Sequence, residues 1–165
     1  MSVYADYTPD EQRLLRSAIE AAAVAISAAS PGRKEETVSE GYAAANYVLG
    51  SGPKYVANTL VTSLIVELER EVKAEETFPD YSKVAARPDA LKRAMDTLRA
   101  VVSLLDAKAA PDEARGYKEW LMNVATVTAK AGKEDQGFLG RGGVAVNDAE
   151  RSELKDIAAV LGIDS

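Results

Sequence analysis

Residues 8–32 read TPDEQRLLRSAIEAAAVAISAASPG, and this stretch holds both ends of a helix together with the pattern of its packing. Thr8 and Glu11 have the spacing of a capping box, in which each side chain satisfies the other residue's backbone amide, and Pro9 occupies the first helical position, where its missing N–H costs nothing. Leu15, Ile19, Ala22, Ala23 and Ile26 then recur at helical spacing and mark one face. Pro31 disfavours the α conformation at Ser30, and Gly32 supplies the turn, so the helix stops there.

The same signals recur down the chain. A second helix is expected over about 33–49, with Val38, Tyr42, Ala45 and Leu49 as its buried stripe. Gly50-Ser51-Gly52-Pro53 breaks it, with Ser51 as a cap and Pro53 opening a third helix that carries Val61, Leu64, Ile65, Leu68 and Val72. The segment from Glu75 to Tyr81 reads as a connection pinned by Phe78 and Tyr81. Pro88 then starts a fourth helix with Leu91, Ala94, Met95, Leu98, Val101, Val102 and Leu105 on one face. Pro111 and the acidic pair Asp112 and Glu113 open a fifth, whose inward stripe is Tyr117, Trp120, Leu121, Val124, Val127 and Thr128. Asn147 and Glu150 have capping-box spacing for a last helix that buries Leu154, Ile157, Ala158 and Leu161 before Gly162. The expected fold class is all-α: one compact bundle of about six amphipathic helices spanning residues 1–165, with no linker long enough to divide it.

Composition narrows function mainly by exclusion. The chain of 165 residues is 47% apolar and 6% aromatic, and much of the apolar share is alanine, the strongest helix former. A formal net charge of −6 repels phosphate backbones and anionic lipid, so neither nucleic acid nor a membrane is an expected partner. The most apolar run, Ala21 to Ala29, is bounded by Glu20 and Pro31 and is far shorter than the roughly 20 residues that span a bilayer. MSVYADYTPDEQR has neither a basic start nor a hydrophobic signal core, and a cytoplasmic location is the expectation. Cysteine and histidine are both absent. Thiolate and imidazole zinc sites, cysteine nucleophiles and Ser-His-Asp triads are therefore closed to this chain. Carboxylates, lysines, tyrosines and oxygen-ligand metals such as Ca²⁺ or Mg²⁺ are what remain.

Three features invite a functional reading. The segment from Gly137 to Gly143 has four glycines in seven residues, and Gly140 to Ala145 spells a dinucleotide fingerprint. A helix rather than a strand precedes it, so a turn that tucks Phe138 and Leu139 into the core is the plainer reading. An anion or partner site built on Arg141 and backbone amides is the alternative. Glu35, Glu36 and Glu40 form one acidic group and Glu67, Glu71 and Glu75 another. Both read as solvated helix faces, with Lys73 four residues after Glu69 forming a stabilising pair. Tyr42, Tyr47, Tyr55, Tyr117 and Trp120 either pack or line a pocket between helices, with Tyr117 and Trp120 the leading ligand or partner candidates beside Phe138 and Arg141.

Three segments carry a resemblance: AAAVAISAASPGRKEE from Ala21, LRAVVSLLDAKAAPDEARGYKEWL from Leu98, and GFLGRGGVAVNDAERSELKDIAAVLG from Gly137. In them the chain resembles a bacterial all-α family distantly similar to tellurite-resistance TerB-like proteins. The resemblance implies a stress-associated or interaction role. TerB-like domains carry an Asp-Gly and acidic residues after the first helix, implicated in divalent-cation binding. Here Pro31 takes the Asp position and Arg33 and Lys34 add positive charge, so only Glu35 and Glu36 match. No resident cofactor and no tight Ca²⁺ or Mg²⁺ site is expected at that turn. The leading expectation is a non-enzymatic protein that binds a protein partner, or else a divalent cation such as Ca²⁺ or Mg²⁺; the rival is an enzyme or small-ligand carrier whose site lies between the aromatic faces and the Gly137 to Gly143 loop.

Overall fold

The first helix, α1 (Pro9–Ala29), runs through the middle of the molecule, which is described here by a computed structural model over residues 1–29, 34–75, 82–131, 146 and 148–163. Its capping box forms as the spacing predicts: the Thr8 amide donates to Glu11 Oε2 at 2.8 Å, and the Glu11 amide donates to Thr8 Oγ1 at 3.4 Å. The one-sided stripe does not hold. Every residue from Ala21 to Ser27 is buried, because α1 is wrapped by α2 (Lys34–Gly50), α4 (Ser82–Ala85), α5 (Ala90–Lys108), α6 (Pro111–Ala131) and α7 (Asp148–Leu161). Alanine's small side chain allows several neighbours to approach one helix at once, and a helix that is apolar all round belongs in a core.

Six helices of this bundle are long, α4 is a single turn, and no strand occurs among the described residues. The protein is all-α. No helix among the described residues is long and apolar enough to cross a membrane.

Four local expectations need correction. In α2 the buried stripe is Gly41, Ala44, Ala45 and Val48, while Tyr42 is 55% exposed and Val38 and Leu49 are only half-buried. Glu40 belongs to that inner face: it is buried and accepts a hydrogen bond from Ser27 Oγ of α1, so it is not part of a solvated row. The third helix, α3 (Thr59–Glu75), starts after Pro53, which lies instead in the 3₁₀ turn Gly52–Lys54. Its cap is Asn58, whose Oδ1 accepts from the Val61 amide at 3.0 Å while its Nδ2 donates to the Glu113 carbonyl of α6 at 2.9 Å. Likewise Pro88 sits in the turn before α5, which begins at Ala90.

The second acidic row serves as an ion-pair partner. Arg16 of α1 reaches Glu71 at 2.5 Å and Glu67 at 3.9 Å, donates through Nε to the Tyr4 hydroxyl, and lies over the Tyr4 ring. Arg70 also pairs with Glu67, whereas the Glu69 and Lys73 pair is not formed among the described residues. At the far end, Gly162 takes φ +68°, its amide bonds to the Ala159 carbonyl and the Ile163 amide to that of Ala158, so α7 ends as the sequence predicts. Asn147, Phe78 and Tyr81 lie outside the described residues.

Candidate functional site

Tyr117 and Trp120 come together as expected from their spacing on α6, but they do so inside the core, each at 0% exposure. Their rings meet edge to face at 5.5 Å, the geometry preferred by the ring quadrupoles. The polar ends are both used. Tyr117 donates from its hydroxyl to the Leu15 carbonyl at 2.6 Å, and Trp120 donates from Nε1 to Ser51 Oγ at 2.9 Å. Ser51 Oγ in turn donates a hydrogen bond to the Val48 carbonyl at 3.0 Å, so the residue expected to cap a helix instead receives the indole. Burial drives the Tyr117 hydroxyl well above its ordinary range, as expected for a phenol deprived of water. Toward the surface, Tyr47 and Tyr55 share a hydroxyl contact at 3.2 Å, and Asn123 donates to Tyr55.

Phe138 and Arg141 lie outside the described residues, as do the side chains of Glu35 and Glu36. Among the described residues no group of three or more carboxylates is placed to hold a metal ion.

A concave surface opens elsewhere, between α1, α4 and α5, as a cleft of about 420 Å³. Ala21 and Val24 of α1 and Ala90 and Ala94 of α5 form its floor, with Val84 at one side. Small side chains on both helices leave the hollow, since their backbones approach closely without filling the space above. Among the described residues Glu20, Arg87, Arg93 and Asp96 are its charged groups, with Ser17 and Thr97 adding hydroxyls. Two of the charged groups are already engaged. Arg93 pairs with Asp89 at 3.1 Å, and Asp96 accepts from Lys92 at 2.6 Å and from Arg99 at 3.0 Å.

Glu20 and Arg87 are not. Among the described residues Glu20 receives no hydrogen bond, and the Arg87 guanidinium makes neither a hydrogen bond nor an ion pair. They attract each other across the cleft without closing on each other; burial raises the Glu20 carboxyl above its ordinary range, and Arg87 only partly offsets this. The turn that carries Arg87 is fixed by its backbone, through bonds from the Arg87 amide to the Val84 carbonyl and from the Ala90 amide to the Arg87 carbonyl. A smaller hollow of about 300 Å³ near Pro111 and Gly162 has its chief opposite charges spent, since Lys118 donates to Asp106 at 2.6 Å.

In sequence Glu20 is only the polar boundary of an apolar run. The signal that could have singled it out is its place immediately before residues 21–27, all of them buried, because a carboxylate one step from the core of a central helix is costly unless something receives it. No family model, curated protein or solved structure matches this chain.

Proposed function

We propose that this chain is a non-enzymatic helical binding module of the tellurite-resistance TerB-like kind, acting in the cytoplasm on a protein partner in a stress-associated role. The observation that carries the reading is the internal use of the aromatic cluster: Tyr117, Trp120, Ser51 and Leu15 satisfy one another in the core, so the groups best suited to line a deep catalytic pocket are committed to holding α6 against α1 and α2. What is left to solvent is a set of long helix faces and open clefts, the form of surface that engages another protein. The absence of histidine and cysteine points the same way, by removing the commonest nucleophiles and bases. Affinity capture with the tagged chain, followed by reconstitution from purified components, should give a stoichiometric complex with a dissociation constant of about 1 μM or tighter. A purified chain that turns over a small molecule, with no protein complex surviving reconstitution, would refute it.

A second reading, a small-ligand carrier, is favoured by one specific observation. Glu20 and Arg87 face an apolar-floored cleft and, among the described residues, neither side chain has a hydrogen bond or ion pair, which supports a site between α1, α4 and α5 for this reading.

A further inference from the structure

We propose that the cleft between α1, α4 and α5 binds a small zwitterion, with the ligand's ammonium on Glu20, its carboxylate on Arg87 and its hydrocarbon over Val24 and Ala94; the proposal rests on the small-ligand reading above. The argument is one of which charges are open. Among the described residues four charged side chains reach the cleft; Arg93 has its counter-charge on Asp89, just before α5, and Asp96 has its own on α5 itself. The remaining pair is one negative and one positive group, held on different elements, Glu20 by α1 and Arg87 by the turn between α4 and α5.

A purely cationic ligand would satisfy Glu20 and meet Arg87 as a repulsion; a purely anionic one would meet the reverse. A molecule carrying both charges satisfies both groups at once, and it displaces no internal hydrogen bond of the described residues because Glu20 has none there to give up. The floor of Ala21, Val24 and Ala94 offers apolar contact to a short side chain, and Val84 closes one side. A cleft of about 420 Å³ lies at the lower end of the range of roughly 300–1,000 Å³ for small-molecule sites. Desolvation on binding strengthens both charge contacts relative to water. The raised carboxyl of Glu20 adds a further consequence: an approaching ammonium favours the charged form, so affinity weakens as pH falls through the raised value.

The test is a ¹⁵N–¹H titration of the full chain that follows the amides of Ala21, Val24, Ala90 and Ala94. Glycine, L-leucine and γ-aminobutyrate serve as zwitterions of different size and charge separation, and isopentylamine and 4-methylpentanoate as leucine analogues that keep only one charge. At least one zwitterion should give saturable shifts, with a dissociation constant about tenfold or more below that of either one-charge analogue. Glu20→Gln should weaken the zwitterion by about the same factor while 4-methylpentanoate, freed of a like charge, binds no more weakly than before; Arg87→Gln should weaken the zwitterion likewise while isopentylamine binds no more weakly than before. Circular dichroism and the denaturation midpoint establish that both variants are folded. One-charge analogues that bind the cleft as tightly as the zwitterions overturn the zwitterion assignment while the carrier reading stands. Cleft amides that stay still for all five probes up to about 20 mM overturn both.

Discussion

Glu20 and Glu113 are the same residue in opposite circumstances. Glu113, in the first turn of α6, is buried, and both of its oxygens are occupied: the Ser2 amide reaches them at 3.0 and 3.1 Å, Ser2 Oγ donates at 2.7 Å and Thr59 Oγ1 at 3.1 Å. Burial pushes its carboxyl up, but the bonds from Ser2 and Thr59 outweigh that and hold it below the ordinary carboxylate range. Glu20 is half-buried with no donor among the described residues, and its carboxyl is raised. Around Glu113 the charge is spent on the fold, tying the first residues and α3 to α6. Around Glu20 it is left over, and a cost that folding does not recover is a sign that something other than folding uses the group.

The contrast is most easily broken at Glu113. Removing its side chain in Glu113→Ala strips the acceptor from Ser2 and Thr59, and chemical denaturation should show a loss of about 1.5–3 kcal/mol, the range for hydrogen bonds to a charged group. An unchanged midpoint would mean that the anchor is ornamental and the two carboxylates are alike.

Next in size is Gly116→Ala. A Cβ at Gly116 would stand 2.5 Å from Asn58 Nδ2, and that amide is bonded at both ends, to the Glu113 carbonyl and to the Val61 amide. Asn58 has nowhere to go without losing a bond, so we expect a loss of about 1–3 kcal/mol by the same measurement. A neutral result would show that the closed side of the molecule is as yielding as the open one.

Glu20→Gln should have the smallest effect, within about 0.5 kcal/mol at neutral pH and in the stabilising direction. The two carboxylates also give opposite pH signatures. A carboxyl raised by folding binds its proton more tightly in the native state, so its stabilising contribution is present at low pH and is lost as pH climbs through the raised value; Glu153, buried with an unpartnered oxygen, follows the same sign. For a depressed carboxyl the contribution is present above the unfolded value and is lost as pH falls through the folded one. Glu20→Gln should therefore remove part of the decline on the rising-pH side, and Glu113→Ala part of the decline on the acid side, in stability measured by urea titration across pH. Identical pH profiles for the two variants would erase the distinction.

Much of the fold was legible because its signals are local. Thr8, Glu11 and Pro9 define the start of α1 within four residues, and the periodicity from Leu91 to Leu105 suffices for α5. The start of α3 was misplaced for the complementary reason: Pro53 is a visible local signal, whereas Asn58 gains part of its worth as a cap from a bond to Glu113, which no spacing rule connects to it. Tyr42 fits a helical stripe but faces out, since which face of α2 turns inward is decided by where α1 and α6 lie. The candidate site was the least legible part. Tyr117 and Trp120 announce themselves by residue type, yet packing consumes them; Glu20 and Arg87 are ordinary surface types, and only the approach of α4 and α5 to α1 makes a pair of them.

The burial of α1 on all sides has a consequence for the order in which the chain is made. Its neighbours α5, α6 and α7 are all translated later, and at roughly 5–20 residues per second the nascent helix waits several seconds for the surfaces that will enclose it. During that interval a leucine-rich helix of the same length would be a strong target for chaperones and for neighbouring nascent chains. Alanine at 18, 21, 22, 23 and 25 serves the waiting period as well as the finished packing, since it holds the segment helical while presenting little apolar area for anything else to grip.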